Sequence, residues 1–384
     1  MIFMTNTPFS QEEILRYSRH LMVPEIGMQG QQRLKSASVL IVGAGGLGSP
    51  AALYLAAAGV GRIGLVDDDL VDRSNLQRQV LHGTSQIARA KVDSAKERLT
   101  DLNPHIQVDA IFDSFNYKTA QKIAEGYDLL LDCCDNFETR YLINDLCALT
   151  KRPDVYGAIY RFEGQVSVFD AQHGPCYRCL FPSPPEEGAA PACGEAGVFN
   201  VTPGVVGTLQ AVEALKLLLG IGNPLIGRLL LFDGLAMSFK EVKLHKNPAC
   251  ALCGEKPWIR NLANNDPYCK IELEPSIEEE AWLTPRELAD MLASPHPPLL
   301  VDVRDAVEQQ VSGLEGALSI PMEQLTVRMD ELDKTRELVA FCRTGSRSRR
   351  AVKLLLEHGF SKAKFLKGGI NAWAAQQAPW MFTY

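Results

Sequence analysis

The sequence lacks any long apolar run: its 384 residues contain no stretch of about 18 consecutive apolar residues, the length that a transmembrane helix requires. It also lacks the basic start and apolar core of a secretory signal peptide, since it begins MIFMTNTPFSQEE. An excess of positive charge is missing as well, because 39 lysines and arginines face 46 aspartates and glutamates. We therefore expect a cytoplasmic protein that binds neither membranes nor nucleic acid through a broad basic face.

What the sequence contains is the composition of a folded α/β protein. Hydrophobic residues make up 46% and charged residues 22%, which is ordinary for a globular chain long enough for two domains. Apolar strand-like runs alternate with helical segments from residue 38 to residue 158, and this alternation predicts a parallel sheet. The segment 164–169 alternates like a strand with one solvated face, so we expect a mixed sheet in a Rossmann-like domain.

The most informative stretch begins with the apolar run 39–42, which enters the sequence GAGGLG and then a helical segment of small residues. Glycines let the backbone turn sharply and approach a phosphate, whose charge is favoured at a helix N-terminus. The glycines of this turn are Gly43, Gly45, Gly46 and Gly48. A second strand at 62–66 ends in Asp67, where an acid can accept hydrogen bonds from ribose hydroxyls. Taken alone, the pattern fits NAD as well as ATP.

Polar residues beyond the turn favour ATP. The segment SNLQRQ places Asn75 and Arg78 close together in the chain, and Lys91 opens the next helix. Asp135 follows a buried strand at 127–131, and ligands of parallel sheets bind at the carboxyl ends of strands. An amide and cations suit the phosphates of a polyphosphate, and an acid suits the Mg²⁺ that accompanies it. Fixed cations also stabilise the charge that develops during adenylation. Adenylation therefore fits better than hydride transfer.

Two domains are predicted. We expect an adenylating domain over residues 1–255, a polar and acidic linker over 256–280, and a small α/β domain over 281–384. A proline- and glycine-rich loop at 174–197 interrupts the first domain, and long loops in compact domains tend to be functional. An apolar helix at 205–219 follows that loop.

Capping patterns predict where two helices begin. Ser10 and Glu13 form a capping box at the first helix, and Thr284 caps a helix that has Pro285 at its first position. Arg19 lies on the first helix, where a solvated surface position is the simplest interpretation.

Four of the ten cysteines form two CxxC pairs, namely Cys176 with Cys179 and Cys250 with Cys253. Four thiolates are enough for a closed tetrahedral zinc site. The two pairs lie seventy residues apart, which exceeds the usual zinc-finger spacing, so disulfides are the alternative. Cys193 stands apart in the proline- and glycine-rich loop.

The joint pattern resembles the ThiF/MoeB family of adenylating enzymes, relatives of the ubiquitin-activating enzymes. The resemblance covers roughly residues 10–255 and rests on GAGGLG, the three aspartates after the second strand, SNLQRQ, Lys91, DCCDN and the two CxxC pairs. It implies a homodimer that uses ATP and Mg²⁺ to adenylate the C-terminal Gly-Gly carboxylate of a small ubiquitin-like sulfur carrier. It also implies structural Zn²⁺ at the CxxC pairs.

The resemblance further implies roles for single residues. Asp67 matches the acid that binds ribose, and Asp135 matches the acid that organises magnesium. The phosphate-binding set corresponds to Asn75, Arg78 and Lys91.

Two more residues gain a role from the same family. Arg19 matches an arginine that reaches into the partner subunit's site, which replaces its interpretation as a surface residue. Cys193 matches a cysteine that captures the activated carrier as a thioester or takes part in a disulfide.

The second domain resembles the rhodanese family. A strand at 339–341 runs into the sequence CRTGSRS, which begins at Cys342 and leads into a helix. Backbone N–H groups together with Arg343 and Arg347 are expected to converge on the sulfur, which favours a thiolate or an anionic persulfide. The segments DVR at 302–304 and LKGGINAW fit the same family.

The second domain differs from the rhodanese sequence pattern at one place, and its cysteine loop has one alternative interpretation. The chain reads Ser312-Gly313-Leu314 where rhodaneses often have Gly-His-Ile, so we make no prediction for the conformation of this turn. A cysteine-based phosphatase loop is the other relative, but the general-acid aspartate that it requires has no clear candidate.

The two resemblances combine into one reaction sequence of the molybdopterin-synthase adenylyltransferase/sulfurtransferase type. The acyl-adenylate of the carrier receives sulfur from a persulfide on Cys342, which a cysteine desulfurase or thiosulfate supplies. We expect the thiocarboxylate to serve molybdopterin synthesis, with thiamine, tRNA thiolation or a siderophore as alternatives within the same chemistry. An NAD-dependent dehydrogenase and a non-catalytic scaffold for ubiquitin-like proteins are the alternatives of other classes.

Overall fold

The computed structural model describes residues 9–184, 197–262 and 281–381. These residues belong to two compact units, one within residues 1–270 and the other within residues 271–384. Each unit has its own sheet and its own hydrophobic core. Within the described ranges, no helix combines the length and the apolar character that crossing a membrane requires.

The first unit is built on an eight-stranded mixed sheet with the strand order β3-β2-β1-β4-β5-β6-β7-β8. Its strands are β1 (Ser38–Val42), β2 (Arg62–Val66), β3 (Gln107–Ile111), β4 (Leu129–Asp132), β5 (Asp154–Tyr160), β6 (Glu163–Phe169), β7 (Arg228–Asp233) and β8 (Ser238–Lys243). The first five strands are parallel, and the last three pair antiparallel. The predicted Rossmann-like fold with a mixed sheet is confirmed.

Helices cover both faces of this sheet. They are α1 (Gln11–Arg16), α2 (Ser18–Leu21), α3 (Gly27–Ser36), α4 (Gly48–Ala58), α5 (Lys91–Leu102), α6 (Ala120–Ile123), α7 (Phe137–Thr150), α8 (Tyr177–Leu180) and α9 (Val201–Leu219). Leu55, Leu99 and Val206 bring α4, α5 and α9 into one core, while Ile143 and Leu146 of α7 pack into a second core. Because the parallel strands are covered on both faces, their ends are where polar ligands gain access.

Helix α9 packs closely against the start of α4. A Cβ atom on Gly207 would lie 2.2 Å from the carbonyl oxygen of Leu47, so only glycine permits this approach. At the other end of α9, Arg33 donates from Nη1 to the carbonyl oxygen of Leu219 at 2.5 Å. The helix begins at Val201, four residues earlier than the sequence predicts, and Pro203 lies in its first turn, where proline needs no hydrogen-bond acceptor.

The second unit contains a five-stranded parallel sheet with the order β11-β10-β12-β13-β9. The strands are β9 (Trp282–Leu283), β10 (Leu299–Asp302), β11 (Leu318–Ser319), β12 (Leu338–Phe341) and β13 (Ala363–Leu366). The helices are α10 (Pro285–Leu292), α11 (Ala306–Gln309), α12 (Leu325–Arg328), α13 (Ser346–Glu357) and α14 (Gly369–Gln377). Short 3-10 turns lie at Arg73–Asn75 and Thr84–Gln86 in the first unit, and at Met322–Gln324 and Met329–Glu331 in the second. The small α/β domain is thus confirmed.

Candidate functional site

The glycine turn lies beside the segment that follows β4. Val42, the last residue of β1, is in register with Asp132, the last residue of β4. Gly43 has a φ of +101°, and a Cβ atom there would lie 2.6 Å from the carbonyl oxygen of Cys133. Gly48 is equally constrained, because its Cβ atom would lie 2.0 Å from the carbonyl oxygen of Gly43. Only glycines allow the two strand ends to meet in this way.

Asp67 binds the glycine turn directly. Its Oδ2 accepts from the backbone N–H of Ala44 at 2.8 Å, and its Oδ1 accepts from the backbone N–H of Asp69 at 2.9 Å. Burial raises the pKa of the Asp67 carboxyl, while the charge of Lys91 and the two backbone hydrogen bonds act in the opposite direction. The predicted ribose acid therefore also fixes the turn.

Lys91 is brought to the same place by the start of α5. Its backbone N–H donates to the carbonyl oxygen of Asp69, and its Nζ lies 2.6 Å from Asp69 Oδ2 and 3.7 Å from Asp67 Oδ1. Arg78 donates from Nη2 to Asn75 Oδ1 at 2.8 Å, and the two residues are three positions apart in the chain. The predicted phosphate-binding residues thus form two groups, Lys91 with the two acids and Arg78 with Asn75.

Asp135 is exposed in the connection between β4 and α7. The residues around it hold this connection in place: Arg140 donates from Nε to Asp132 Oδ2 at 3.1 Å and from Nη2 to the carbonyl oxygen of Cys134 at 3.1 Å. Asn136 caps α7 by accepting from the backbone N–H of Thr139. Asp135 is therefore presented on a fixed loop at the sheet edge that carries the glycine turn.

Sequence reasoning missed Arg140, Asp69 and His82. Arg140 and His82 are buried, and the Nε2 atom of His82 lies 2.9 Å from the carbonyl oxygen of Ala44 in the glycine turn. A signal for Arg140 was present, since this arginine lies four residues after the helix cap Asn136 and directly before the apolar run Tyr141-Leu142-Ile143. The buried position of His82 has no such signature in the sequence.

Two predicted residues are not joined to this site within the first unit. Arg19 is exposed on α2, with Nη1 3.9 Å from Met22 Sδ. Its role in a partner subunit stays a prediction. Cys193 lies outside the described residues, and so do the carboxyl-terminal half of the predicted loop at 174–197 and most of the predicted linker.

The two CxxC pairs come together in one cluster. Their sulfur atoms lie 3.9 Å apart for Cys176 and Cys179, 3.6 Å for Cys176 and Cys250, and 3.4 Å for Cys179 and Cys253. A tetrahedral zinc with bonds of about 2.3 Å separates its sulfur ligands by about 3.8 Å. No disulfide joins any cysteine in the described part of the chain. The four thiols therefore fit the geometry of a tetrahedral metal better than the disulfide alternative.

A buried ion pair anchors this cluster to the sheet domain. Arg178, between Cys176 and Cys179, donates from Nε and Nη2 to the two carboxylate oxygens of Asp145 at 2.7 and 2.8 Å. Asp145 lies on α7, so the helix that follows Asp135 also holds the first CxxC pair.

In the second unit, Cys342 follows β12 and precedes α13. The backbone N–H of Gly345 donates to its Sγ at 3.1 Å, and the Oγ of Ser348 lies 3.5 Å from the same sulfur. Cys342 is only 1% exposed. One backbone N–H and one hydroxyl are therefore directed at the sulfur, and donors of this kind favour an anionic sulfur.

Arg347 of this loop is held by an acid that the sequence analysis did not single out. Its Nη1 and Nη2 atoms donate to the two carboxylate oxygens of Glu308 at 2.6 and 2.7 Å. Both side chains are largely buried. The guanidinium charge of Arg347 is therefore balanced by a carboxylate, which the prediction of two arginines acting on the sulfur did not include.

A hydrogen bond joins the DVR segment at 302–304 to the turn at 312–314, where the chain differs from the rhodanese pattern. Arg304 donates from Nε and Nη2 to the carboxylate of Asp302, and also from Nη2 to the carbonyl oxygen of Ser312 at 2.8 Å. The turn that lacks the usual Gly-His-Ile is thus bonded to the core of the unit.

Comparison with known proteins agrees with this geometry. Residues 17–252 match the ThiF family, and residues 284–376 match the rhodanese-like domain. The chain belongs to the ThiF family and carries a rhodanese-like domain after the ThiF region; it is an adenylyltransferase and sulfurtransferase.

Two relatives that match nearly the whole chain have both activities in their names, and a third, which matches about two thirds of the chain, has the first. The chain is 44% identical over 383 residues to "Probable adenylyltransferase/sulfurtransferase MoeZ" of Mycobacterium tuberculosis, covering 98% of this chain and 96% of that protein. It is 43% identical over 394 residues to adenylyltransferase and sulfurtransferase MOCS3 of Sus scrofa, covering 96% and 87%. A sulfur carrier protein adenylyltransferase of Thermus thermophilus is 51% identical over 268 residues, covering 68% and 99%.

Among solved structures, Escherichia coli MccB has the same fold. The TM-score is 0.57 at 23% sequence identity, and the match covers 65% of this chain and 75% of that chain. The predicted family and the predicted enzyme class are both confirmed.

Proposed function

We propose that the enzyme adenylates the C-terminal Gly-Gly carboxylate of a small ubiquitin-like sulfur carrier and then converts it to a thiocarboxylate for molybdopterin synthesis. The observation that carries this proposal is the meeting of Lys91, Asp67 and the glycine turn at one sheet edge, in a chain that also contains the Cys342 loop. The name of the Thermus thermophilus relative supports a sulfur carrier as the substrate.

The residues at the sheet edge fit MgATP. Glycines let the backbone N–H groups of the turn approach phosphates closely, and the cations Lys91 and Arg78 match a polyphosphate. Asp67 would accept hydrogen bonds from the ribose hydroxyls, and Asp135 would hold Mg²⁺, whose charge would neutralise the leaving pyrophosphate.

The first reaction is an attack of the carrier carboxylate on the α-phosphorus of ATP. A carboxyl–phosphorus anhydride forms, and pyrophosphate leaves with the electron pair of the broken P–O bond. Lys91 and Arg78 stabilise the negative charge that builds up on the phosphates, because fixed cations need no reorganisation in the transition state.

Sulfur transfer follows. The terminal sulfur of a Cys342 persulfide attacks the acyl carbon, AMP leaves, and an acyl disulfide joins the carrier to Cys342. The Cys193 thiolate then attacks the Sγ atom of Cys342 and releases the thiocarboxylate. A cellular dithiol then reduces the resulting disulfide of Cys193 with Cys342 and is itself oxidised to a disulfide.

A protein substrate is supported by an apolar surface on the first unit. The rings of Phe162 and Phe199 contact each other at a tilt of 43°, with their centroids 5.3 Å apart, and both are partly exposed. The backbone N–H of Gly234 donates to the carbonyl oxygen of Phe162, which places the exposed Leu235 and Met237 of the neighbouring hairpin beside them. Exposed apolar groups of this extent are typical of protein docking surfaces.

The proposal includes a homodimer. Leu15, Met22 and Met28 are exposed on α1 to α3, close in sequence to Arg19, and a second copy of the chain would cover them. The four cysteines of the CxxC pairs hold a structural Zn²⁺, since four thiolates leave no open position for a substrate.

The test is carrier-dependent exchange of labelled pyrophosphate into ATP. Exchange with a Gly-Gly-ended carrier supports adenylation, and its absence with every such carrier contradicts it; a nicotinamide dehydrogenase would not catalyse it. Cys342→Ala is expected to keep the exchange but to form no thiocarboxylate from thiosulfate. Cys193→Ala is expected to be impaired only after the adenylate forms.

A further inference from the structure

His82 is a buried histidine to which the adenylation and sulfur-transfer steps assign no role. It lies just before the 3-10 turn Thr84–Gln86 and is 7% exposed. Its Nε2 atom lies 2.9 Å from the carbonyl oxygen of Ala44, and its Nδ1 atom lies 2.9 Å from the Oγ atom of Ser94. Both ring nitrogens therefore contact a polar group inside the protein.

These two contacts connect the glycine turn to helix α5, the two elements that form the proposed nucleotide site. Ala44 is part of the glycine turn, and its backbone N–H is already held by Asp67. Ser94 lies on α5, one turn after Lys91. The imidazole of His82 thus ties the carbonyl side of the turn to the helix that supplies the buried cation.

The hydrogen bonds around His82 need one proton more than a neutral imidazole can provide. The Oγ of Ser94 also lies 2.6 Å from the Oε1 atom of Gln86, which accepts from the backbone N–H of Gly83 as well. The chain from Ala44 O to Gln86 Oε1 has three links, and both of its ends are acceptors only. A neutral histidine and a serine provide two protons, whereas an imidazolium and a serine provide three.

We propose that His82 is a positioning residue of the nucleotide site: it holds the glycine turn against the helix of Lys91, and it takes up a proton when the polyphosphate of ATP binds. The inference rests on the proposed use of ATP. The bound proton completes the third hydrogen bond, and the arriving negative charge stabilises the imidazolium.

The electrostatic surroundings agree with an imidazole that is neutral before ATP binds. Burial lowers the pKa of His82, the Ala44 carbonyl raises it, and the charge of Lys91 lowers it further. Lys91 is the charged group that acts on the ring from the packed helix, and its own partners are Asp67 and Asp69. A polyphosphate beside Lys91 adds negative charge near the ring, which favours the imidazolium and raises the pKa of His82 in the complex.

The sign of the pH dependence follows from this change. Because binding raises the pKa of His82, the affinity for ATP increases as the pH falls from the pKa of the complex to the pKa of the unbound protein. Outside that interval His82 has the same protonation state before and after binding, and its contribution no longer varies with pH.

The experiment measures MgATP binding to the full chain by titration calorimetry, in two buffers of different ionisation enthalpy at one pH. Repeating it from pH 6 to pH 8.5 gives the pH profile of Kd. In His82→Gln the amide nitrogen replaces Nε2 as the donor to Ala44 but cannot take up a proton. His82→Leu removes the donor, and His105→Gln is a control for a histidine outside the network.

We expect wild type and His105→Gln to take up more protons per bound ATP than His82→Gln, with a pH dependence of Kd that His82→Gln lacks. His82→Gln is expected to bind within about threefold of wild type at pH 8.5, and His82→Leu about tenfold more weakly, the effect of one lost hydrogen bond. Equal proton uptake in wild type and His82→Gln overturns the inference even if His82→Leu does not fold. Absence of MgATP binding in wild type instead contradicts the proposed function.

Discussion

Lys91 and Asp69 form an ion pair in which the lysine side chain is 5% exposed and the aspartate side chain is 68% exposed, with Nζ 2.6 Å from Oδ2. The cation of the nucleotide site is thus buried in the fold, while its partner faces solvent. A polyphosphate that reaches Lys91 replaces an exposed carboxylate rather than a buried one. The exchange of partners leaves no charge buried without a counterion, which keeps the cost of binding low.

Lys91→Met is expected to lower pyrophosphate exchange at least 100-fold. The substitution removes a buried cation whose charge-assisted hydrogen bonds are worth about 1.5–3 kcal/mol each. Asp69→Asn is expected to retain exchange and to lower the KM for ATP, because it removes a carboxylate that competes for Lys91. The measurement is exchange rate against ATP concentration, with Lys96→Met, an exposed lysine on the same helix, as the control. Wild-type exchange by Lys91→Met would exclude the assigned role.

Cys176→Ser and Cys250→Ser are each expected to lose the metal and to lower the Tm of the first unit by about 10 °C. Structural zinc contributes directly to folding, and a loss of 3–5 kcal/mol shifts the Tm of a unit of this size by that amount. Metal content per chain by mass spectrometry and thermal unfolding followed by calorimetry provide the check. Cys147→Ala, which alters a buried cysteine outside the cluster, is expected to retain one zinc per chain. A wild-type protein purified without zinc and unchanged by chelators would rule out the site.

Glu308→Gln is expected to lower the KM for thiosulfate several-fold while leaving pyrophosphate exchange unchanged. Glu308 balances the charge of Arg347, so its loss makes the loop of Cys342 more positive and attracts a dianionic donor. The assay is sulfite release from thiosulfate at varied concentration, with Glu331→Gln as a control that breaks an exposed pair with Arg328. An increase in KM would mean that Glu308 acts only by holding Arg347 in place.

Asp154→Asn is expected to stabilise the first unit at pH 8 and to have little effect near pH 4. Asp154 is 1% exposed, and its Oδ1 has no hydrogen-bond partner. Burial raises the pKa of its carboxyl well above the ordinary value of 3.8, and the charge of Asp132 adds to the rise.

The sign of this effect follows from proton uptake. A carboxyl whose pKa is raised in the folded state binds a proton on folding, so its cost grows by about 1.4 kcal/mol per pH unit above 3.8 until the folded pKa is passed. Asparagine does not titrate and avoids this cost. Calorimetric Tm values at pH 4 and pH 8 are expected to show a gain of at least about 4 °C at pH 8 only. Asp101→Asn, an exposed aspartate, serves as the control, and an equal gain at both pH values would contradict the explanation.

Much of the fold could be predicted because the signals are local. The capping box of Ser10 with Glu13 and the start of α10 at Thr284 and Pro285 appear in the structure as the sequence predicts. The predicted start of a helix was wrong where a local rule has an exception. The helix predicted at 205–219 begins at Val201 in the structure, because Pro203 is tolerated in a first turn, where its nitrogen needs no acceptor.

The two-residue strand β9 and the short helix α11 were not predicted either. Elements of two to four residues are stabilised by neighbours that are distant in sequence, as β9 is by β13. Their own residues contain too little periodicity to identify them.

The candidate site likewise contains residues whose positions could be predicted from the sequence and contacts that could not. The positions of Lys91, Asp67 and Asp135 relative to the strands and helices could be predicted, since Asp67 and Asp135 follow strands and Lys91 opens a helix in the chain. The partners of these residues depend on strand register and helix packing. Glu308 is separated from Arg347 by 39 positions and His82 from Ala44 by 38, so neither pair is visible in a linear pattern.

The contact of Gly207 with Leu47 determines when the nucleotide site is completed during synthesis on the ribosome. About 160 residues must be added after the glycine turn before α9 can pack against it, which takes roughly 10 to 30 s at cellular elongation rates. Throughout that interval the apolar face of α4, including Ala51 and Leu55, has no partner from α9. We therefore expect a fragment that stops before α9 to expose this apolar face and to aggregate more readily than the full chain.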